Sequence, residues 1–99
     1  MFANVVYERD TFDIDLGSDA RVTHKPCLGD RGDILGAYAV AKMAHGSPEI
    51  EWMSKDDLDR IRKVAEGRGK SPAWSAWPEE MMKKSAIRRM SKRLPLGHD

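Results

Sequence analysis

The sequence predicts an α+β fold in which an antiparallel sheet of about four to five strands packs against two helices. The first half of the chain contains short segments that alternate apolar with polar side chains, which is typical of half-buried strands. Two segments with helical periodicity follow, and the second of them is strongly basic. A chain of 99 residues is expected to form one domain, here residues 1–99.

The strand segments are expected to pair as two hairpins. Arg9 and Asp10 would form the tight turn of the first hairpin, and Pro26 would close an extended piece that follows it. The segment around Gly36 is mostly apolar and alanine-rich, so a helix is the alternative there, but Gly36 favours a buried strand. The predicted strand segments are residues 2–9, 11–16, 21–25, 34–44 and 49–53.

The loop of residues 28–33 (LGDRGD) has turn chemistry, because two glycines and two aspartates surround Arg31. Two roles are open for Arg31, namely binding a phosphate and forming a structural ion pair. A metal site at Asp30 and Asp33 is the less favoured interpretation of the same loop.

A first helix is predicted from about residue 55 to residue 66. Ser54 is a strong N-cap residue, and Asp57 stands three positions later, as in a capping box. Leu58, Ile61 and Ala65 form the apolar stripe by which this helix would pack on the sheet.

A second helix is predicted between Pro78 and Leu94. Proline is tolerated in a first turn, and the acids that follow it suit the positive end of the helix dipole. Leu94-Pro95 is expected to end the helix, because a residue before proline avoids the α region. One side of this helix is apolar and would face the core: Met82, Ala86, Ile87, Met90 and Leu94.

The opposite side of the second helix carries cations. Lys84, Arg88 and Lys92 are spaced four residues apart and line up at intervals of about 6 Å along the axis. Lys83, Arg89 and Arg93 are the other basic residues of this helix. This pattern predicts a surface that binds the phosphates of an extended nucleic-acid strand; a solvated basic face is the alternative.

The distribution of charge supports a polyanion-binding surface, although the net charge of the whole chain is only +1. Residues 1–66 carry 9 bases and 13 acids, a net charge of −4. Residues 67–93 carry 8 bases and 2 acids, a net charge of +6, and Asp99 supplies the last negative charge.

A basic loop and two tryptophans precede the second helix. Arg68 and Lys70 lie in the loop and would add to the basic surface. Trp74 and Trp77 are open to two interpretations: stacking on unpaired bases, or filling the joint between loop and core. Trp77 falls near the basic face and is preferred for contact with nucleic acid.

The sequence lacks the patterns of a catalytic or metal-binding protein. Cys27 is the only cysteine, so neither an internal disulfide nor a zinc motif is possible. His24, His45 and His98 have no nearby pattern of a base and a nucleophile, and no phosphate-binding glycine loop is present. We therefore expect a non-enzymatic binder with no cofactor, any effect of Mg²⁺ being non-specific. No apolar run has the length of a membrane span.

The run EEMMKKSAIRRMSKRLP, with Trp74 five residues before Glu79, resembles the signature helix of the RecT family of phage recombinases. Four upstream segments are similar to family patterns and occur in the same order. They are FANVVYERDTFDIDLG, the motif His24-Lys25-Pro26, GAYAVAKM and EIEWMSKDDLDRIRKVAEG. Family members usually carry a glycine in the first turn, where this chain has Arg9. The resemblance covers nearly the whole chain, which looks like the central part of a longer RecT-like protein: a fragment, a pseudogene product or a short reading frame.

Membership of this family would imply single-stranded DNA binding and annealing in phage-type recombination, independent of ATP and of base sequence. It would also imply homo-oligomers in the cytoplasm of a bacterial host. The DNA partners would be a single strand and an annealed duplex intermediate, and the protein partner would be an exonuclease or a host single-strand-binding protein. The alternative function is a protein-interaction module. The residues expected to contact DNA are Lys83, Lys84, Arg88, Arg89, Lys92, Arg93, Arg68, Lys70, Trp77 and Trp74.

Overall fold

The computed structural model describes residues 1–68 and 72–94, which form five strands and three helices. The α+β class predicted from the sequence is confirmed. The strands are β1 (Phe2–Tyr7), β2 (Thr11–Asp15), β3 (Arg21–Lys25), β4 (Ile34–Ala41) and β5 (Glu49–Ser54). The helices are α1 (Lys55–Gly67), α2 (Pro72–Ala76) and α3 (Pro78–Ser91).

The strands form two antiparallel sheets where the sequence predicted one. A three-stranded sheet has the order β1-β4-β5, and β2 and β3 form a separate two-stranded ribbon. The ribbon and the helices lie on opposite faces of the three-stranded sheet, because the side chains of β4 point alternately into two separate cores.

Strand β4 lies between two layers, and its composition fits both. Ala37, Ala39 and Ala41 face the helices, where their small side chains allow α3 to approach closely. Tyr38 and Val40 face the ribbon and pack with Phe12, Ile14, Val22 and Trp52. A strand that is buried on both faces reads as a nearly continuous apolar run, which explains why its sequence also suggested a helix.

The predicted first hairpin is wrong, because β1 pairs with β4 and β2 pairs with β3. Tight two-residue hairpin turns need residues with positive φ, and no non-glycine residue in the described chain has one. The chain does turn at Arg9 and Asp10, where the Asp10 amide donates to the Tyr7 carbonyl at 3.1 Å. That turn leads the chain into the ribbon layer and not back along β1.

The second hairpin and the first helix form as predicted. Strands β4 and β5 pair in register from Gly36↔Ser54 to Ala41↔Glu49. Ser54 caps α1, since its hydroxyl accepts from the Asp57 amide and the Asp57 carboxylate accepts from the Ser54 amide.

The C-terminal part differs from the sequence prediction in two respects. Residues 72–76, expected to belong to a loop and its joint with the core, form the short helix α2. Helix α3 begins at Pro78 as predicted but ends at Ser91, three residues before the expected end at Leu94. Pro95 of the predicted stop signal lies outside the described residues.

Gly36 occupies a position that excludes any side chain. A Cβ atom there would collide with the Met53 carbonyl and the Trp52 ring. Gly36→Ala is therefore expected to lower the free energy of unfolding by about 2 kcal/mol through overpacking. Urea denaturation measures this loss, and Gly29→Ala is the matched control because a Cβ at Gly29 meets nothing within 4 Å. Equal midpoints for the two variants would contradict the packing described here.

Candidate nucleic-acid interface

Helix α3 binds the core through one side and presents cations on the other. Met82, Ala86 and Met90 are buried against the helix-facing side of the sheet. This packing fixes the rotation of the helix, so Lys84, Arg88 and Lys92 all face solvent. Within residues 1–68 and 72–94, none of these three cations forms an ion pair with a carboxylate. The row predicted from the sequence therefore exists as an exposed line of unpaired positive charge.

A groove runs between the outer sides of α1 and α3. It consists of two clefts of about 390 and 460 Å³, and both clefts are lined by Arg60, Ile61, Ser85 and Arg88. Because the clefts share these residues, they are continuous. We call this feature the α1–α3 groove.

The walls of the α1–α3 groove are basic and its floor is apolar. Lys84, Arg88 and Lys92 line it from α3, and Arg60 and Arg68 line it from the α1 side. Ile61, Val64 and Met81 are among its apolar lining residues. Among the described residues, Asp57 is the only acid in the lining, and it is paired with Arg60 and Arg89. The groove therefore has a large excess of positive charge.

Arg89 and Arg93, which the sequence grouped with the DNA-binding cations, bind acids of the same chain. Arg89 Nε lies 3.0 Å from Glu51 Oε2, and Arg89 Nη1 lies 3.4 Å from Asp57 Oδ2. Arg93 Nε lies 3.0 Å from Glu51 Oε1, and Arg93 also donates to the Ile50 carbonyl. These contacts attach the end of α3 to β5, so the structure gives both arginines a packing role.

Lys83 lies outside the α1–α3 groove. It pairs with Glu80 at 2.8 Å and lines a different cleft together with His24 and Arg31. The structure therefore separates Lys83 from the row of Lys84, Arg88 and Lys92, although the four residues are close in sequence.

The two tryptophans have different environments. Trp74 is 2% exposed and packs in the helix-facing core, as the joint-filling interpretation expects. Trp77 is 64% exposed at the N-cap of α3. It lies seven residues before Lys84, which is nearly two helical turns, so the two residues lie on about the same side of the helix. An exposed ring on this side is available for stacking; contact of Trp77 with a nucleobase stays a prediction.

Two loop cations, Arg68 and Lys70, were predicted to add to the basic surface, and only Arg68 is described by the structure. It forms the C-cap of α1 and lines the groove beside Trp74. Lys70 lies outside the described residues.

Sequence reasoning missed the contribution of α1 to this surface. Ile61 was assigned to a buried stripe, but it is 38% exposed, and Val64 is 55% exposed. Only Leu58 of the predicted stripe is fully buried, and Ala65 is partly buried against the same core. The sequence did contain a signal for this exposed apolar surface. Val64 lies three residues after Ile61, so the apolar face of α1 is wider than the part that the sheet covers.

A second polar cluster joins the ribbon to the three-stranded sheet. Asp10 has a fully buried side chain, and its carboxylate accepts from the amides of Tyr7 and Cys27 at 3.0 and 2.8 Å. His24 Nε2 lies 2.8 Å from Asp10 Oδ2, and His24 Nδ1 lies 2.9 Å from the Tyr38 hydroxyl. No partner of His24 could be predicted from the sequence, because Asp10 lies in a turn, His24 in β3 and Tyr38 in β4.

Arg31 completes this cluster with a bidentate ion pair to Asp10. Its Nε and Nη2 atoms donate to the two carboxylate oxygens of Asp10 at 2.9 and 2.6 Å, and its guanidinium lies 4.0 Å from the centre of the Tyr7 ring. The hydrogen bonds from Arg31 hold the pKa of Asp10 far below its usual range, and the carboxylate in turn raises the pKa of Arg31. Of the two roles left open for Arg31, the structure shows the ion pair.

Residues 1–68 and 72–94 contain no group of three or more His, Cys, Asp or Glu side chains that could hold a metal ion. None of the helices described is both long and apolar enough to cross a membrane.

Comparison with known proteins agrees with the resemblance seen in the sequence. The RecT family matches over residues 1–97. The chain is 34% identical over 95 residues to Protein RecT of Escherichia coli (strain K12), which is 96% of this chain and 35% of that protein. The chain thus spans about a third of the length of this curated relative. No solved structure matches the chain. Since the family match covers nearly the whole sequence, this chain belongs to the RecT family.

Proposed function

We propose that this chain binds single-stranded DNA in the α1–α3 groove and anneals complementary strands in recombination. One observation carries the proposal: Lys84, Arg88 and Lys92 form an exposed row that is unpaired within the described residues. Membership of the RecT family supports a function in recombination.

The spacing of the row suits a single strand better than a folded polyanion. Residues four apart on a helix are about 6 Å apart along its axis, so the three cations span about 12 Å. Successive phosphates of an extended strand are separated on this scale, and each cation then neutralises one phosphate. Arg60 and Arg68 face the strand from the other wall of the groove.

Binding through phosphates does not depend on base sequence, and it leaves Watson–Crick edges available for pairing. Exposed Trp77 supplies a ring on which one base stacks. Annealing of two bound strands needs no nucleotide hydrolysis in this scheme, and the sequence has no Walker loop. We therefore propose a non-enzymatic, ATP-independent annealing protein of the bacterial cytoplasm that works without a resident cofactor.

Further partners are part of the proposal. Neighbouring copies of the chain would extend the groove into a longer track, with single-stranded DNA and the annealed duplex as successive occupants. A partner exonuclease or a host single-strand-binding protein would deliver the strand. Adding an oligonucleotide to the purified protein and following its size by light scattering tests the assembly step.

Fluorescence anisotropy of a labelled single-stranded oligonucleotide, with the complement added afterwards, tests the proposed function. We expect binding that weakens as salt rises, followed by annealing faster than in protein-free solution, without ATP. A random-sequence oligonucleotide should bind as well as a pyrimidine run. A folded protein that binds no oligonucleotide at low salt would contradict the proposal, and the interaction-module alternative would replace it.

A further inference from the structure

The floor of the α1–α3 groove is aliphatic, which DNA binding alone does not explain. Ile61 and Val64 are 38% and 55% exposed, and Met81 from α3 lies beside them. Trp74 also lines the groove, but at 2% exposure it offers no ring face to a ligand. The groove therefore lacks an aromatic stacking platform along its length.

Single-stranded nucleic acids are usually bound by basic grooves that contain aromatic rings. Grooves with aliphatic and methionine floors are instead typical of sites that receive the apolar face of a peptide. The basic walls here add a requirement for negative charge on the same ligand, because charged groups across an interface are arranged to be complementary. An amphipathic acidic peptide meets both requirements at once.

We infer that the α1–α3 groove is also a docking site for an acidic amphipathic peptide, which excludes single-stranded DNA from the same surface. The apolar side chains of the peptide would contact Ile61, Val64 and Met81, and its carboxylates would pair with Lys84, Arg88 and Lys92. The two clefts of about 390 and 460 Å³ are of ligand-binding size and share lining residues from both helices. The competition rests on the proposed function, whereas the peptide site does not.

The charge arrangement favours this occupant over a neutral apolar one. The lining residues include six bases, Arg60, Arg68, Lys84, Arg88, Arg89 and Lys92, and one acid, Asp57. Arg60 and Arg89 pair with Asp57, and Arg89 also pairs with Glu51, so Arg68 and the α3 row supply the positive charge that is open to a ligand. A neutral segment in the groove would leave Lys84, Arg88 and Lys92 without a counter-charge. It would also remove water from these cations at the rim of the groove. Carboxylates supply the counter-charge, and they set the orientation of the peptide in the groove.

Direct binding of fluorescein-labelled peptides tests the inference without DNA. The probe is a 15-residue peptide with leucines at i, i+3, i+4 and i+7, which form one apolar face when it binds as a helix, and glutamates elsewhere. Its controls are a scrambled peptide of the same composition and an oligoglutamate of equal charge. We expect the amphipathic peptide to bind roughly tenfold more tightly than either control, from the additional apolar contact.

The variant Ile61→Gln/Val64→Gln tests the apolar contact that the peptide would make. Both side chains are exposed and glutamine is a good helix former, so the fold should be kept, which circular dichroism checks. We expect this variant to lose roughly tenfold in peptide affinity, because the apolar contact with the peptide is removed. The wild-type protein should release a bound oligonucleotide as amphipathic peptide is added.

The outcomes distinguish this inference from the proposed function. Equal binding of the amphipathic, scrambled and oligoglutamate peptides would overturn the peptide site, and so would an unchanged peptide affinity in the Ile61→Gln/Val64→Gln variant. Simultaneous binding of peptide and oligonucleotide would overturn the exclusion. Tight peptide binding by a protein that binds no oligonucleotide would support the peptide site and overturn the proposed function.

Discussion

Replacing Lys84, Arg88 and Lys92 together by alanine should lower single-stranded DNA affinity by roughly 50-fold near 0.15 M salt. The reason is the loss of about three phosphate contacts, each of which releases about 0.7 counterions from a single strand. The slope of log K against log salt should therefore become shallower by about 2. Anisotropy titrations at four or more salt concentrations measure both quantities.

The matched control removes three cations from another surface. Arg21, Lys25 and Lys42 are exposed on the ribbon and at the end of β4, away from the α1–α3 groove. Replacing them by alanine changes the net charge by the same amount, so the control variant measures the non-local effect of charge. Similar losses of affinity in the two triple variants would contradict a specific role for the α3 row.

Asp10→Asn should lower the free energy of unfolding by about 3 kcal/mol, since it breaks a buried ion pair and leaves donors without an acceptor. Two amides, Arg31 and His24 converge on this carboxylate, and an asparagine cannot accept from all of them. For a chain of this size the midpoint of thermal unfolding should fall by roughly 15 °C.

Asp13→Asn is the control for the Asp10 variant, because Asp13 is exposed on β2. Circular dichroism melts of the two variants and the wild type at neutral pH make the comparison. A melting temperature of Asp10→Asn equal to that of Asp13→Asn would show that the cluster does not hold the ribbon on the sheet.

The same carboxylate predicts how stability depends on pH. Arg31 lowers the pKa of Asp10 below its ordinary value of 3.8, so the folded state favours the ionised form. The stabilisation is complete above that ordinary value and is lost as the pH falls below it toward the folded-state pKa. Urea denaturation between pH 2 and pH 7 should show a smaller acid-dependent loss in Asp10→Asn than in the wild type.

The elements that the sequence predicted well are those determined by neighbours in the chain. The capping box of Ser54 and Asp57, the start of α3 at Pro78 and the inward side of α3 all follow from spacings of three or four residues. Strands β4 and β5 pair across a short turn, so their register is also local. The exposed row on α3 could be found for the same reason.

The features that were missed depend on residues far apart in sequence. The partner of β1 is β4, which begins at Ile34, 24 residues beyond Asp10 of the turn that was expected to form a hairpin. Arg89 and Arg93 look like free cations until β5 brings Glu51 to within 3.0 Å of each. The groove itself needs α1 and α3 side by side, and no periodicity within one helix reveals that.

A titration of ¹⁵N-labelled protein with an oligothymidine, followed by two-dimensional NMR, tests the groove assignment most directly. The largest shift changes are expected at Ile61, Val64, Ser85, Arg88 and Lys92, which line the groove from both of its sides. Amides of the β2–β3 ribbon should change little. The largest changes in the ribbon, with α3 unaffected, would contradict DNA binding by the α1–α3 groove.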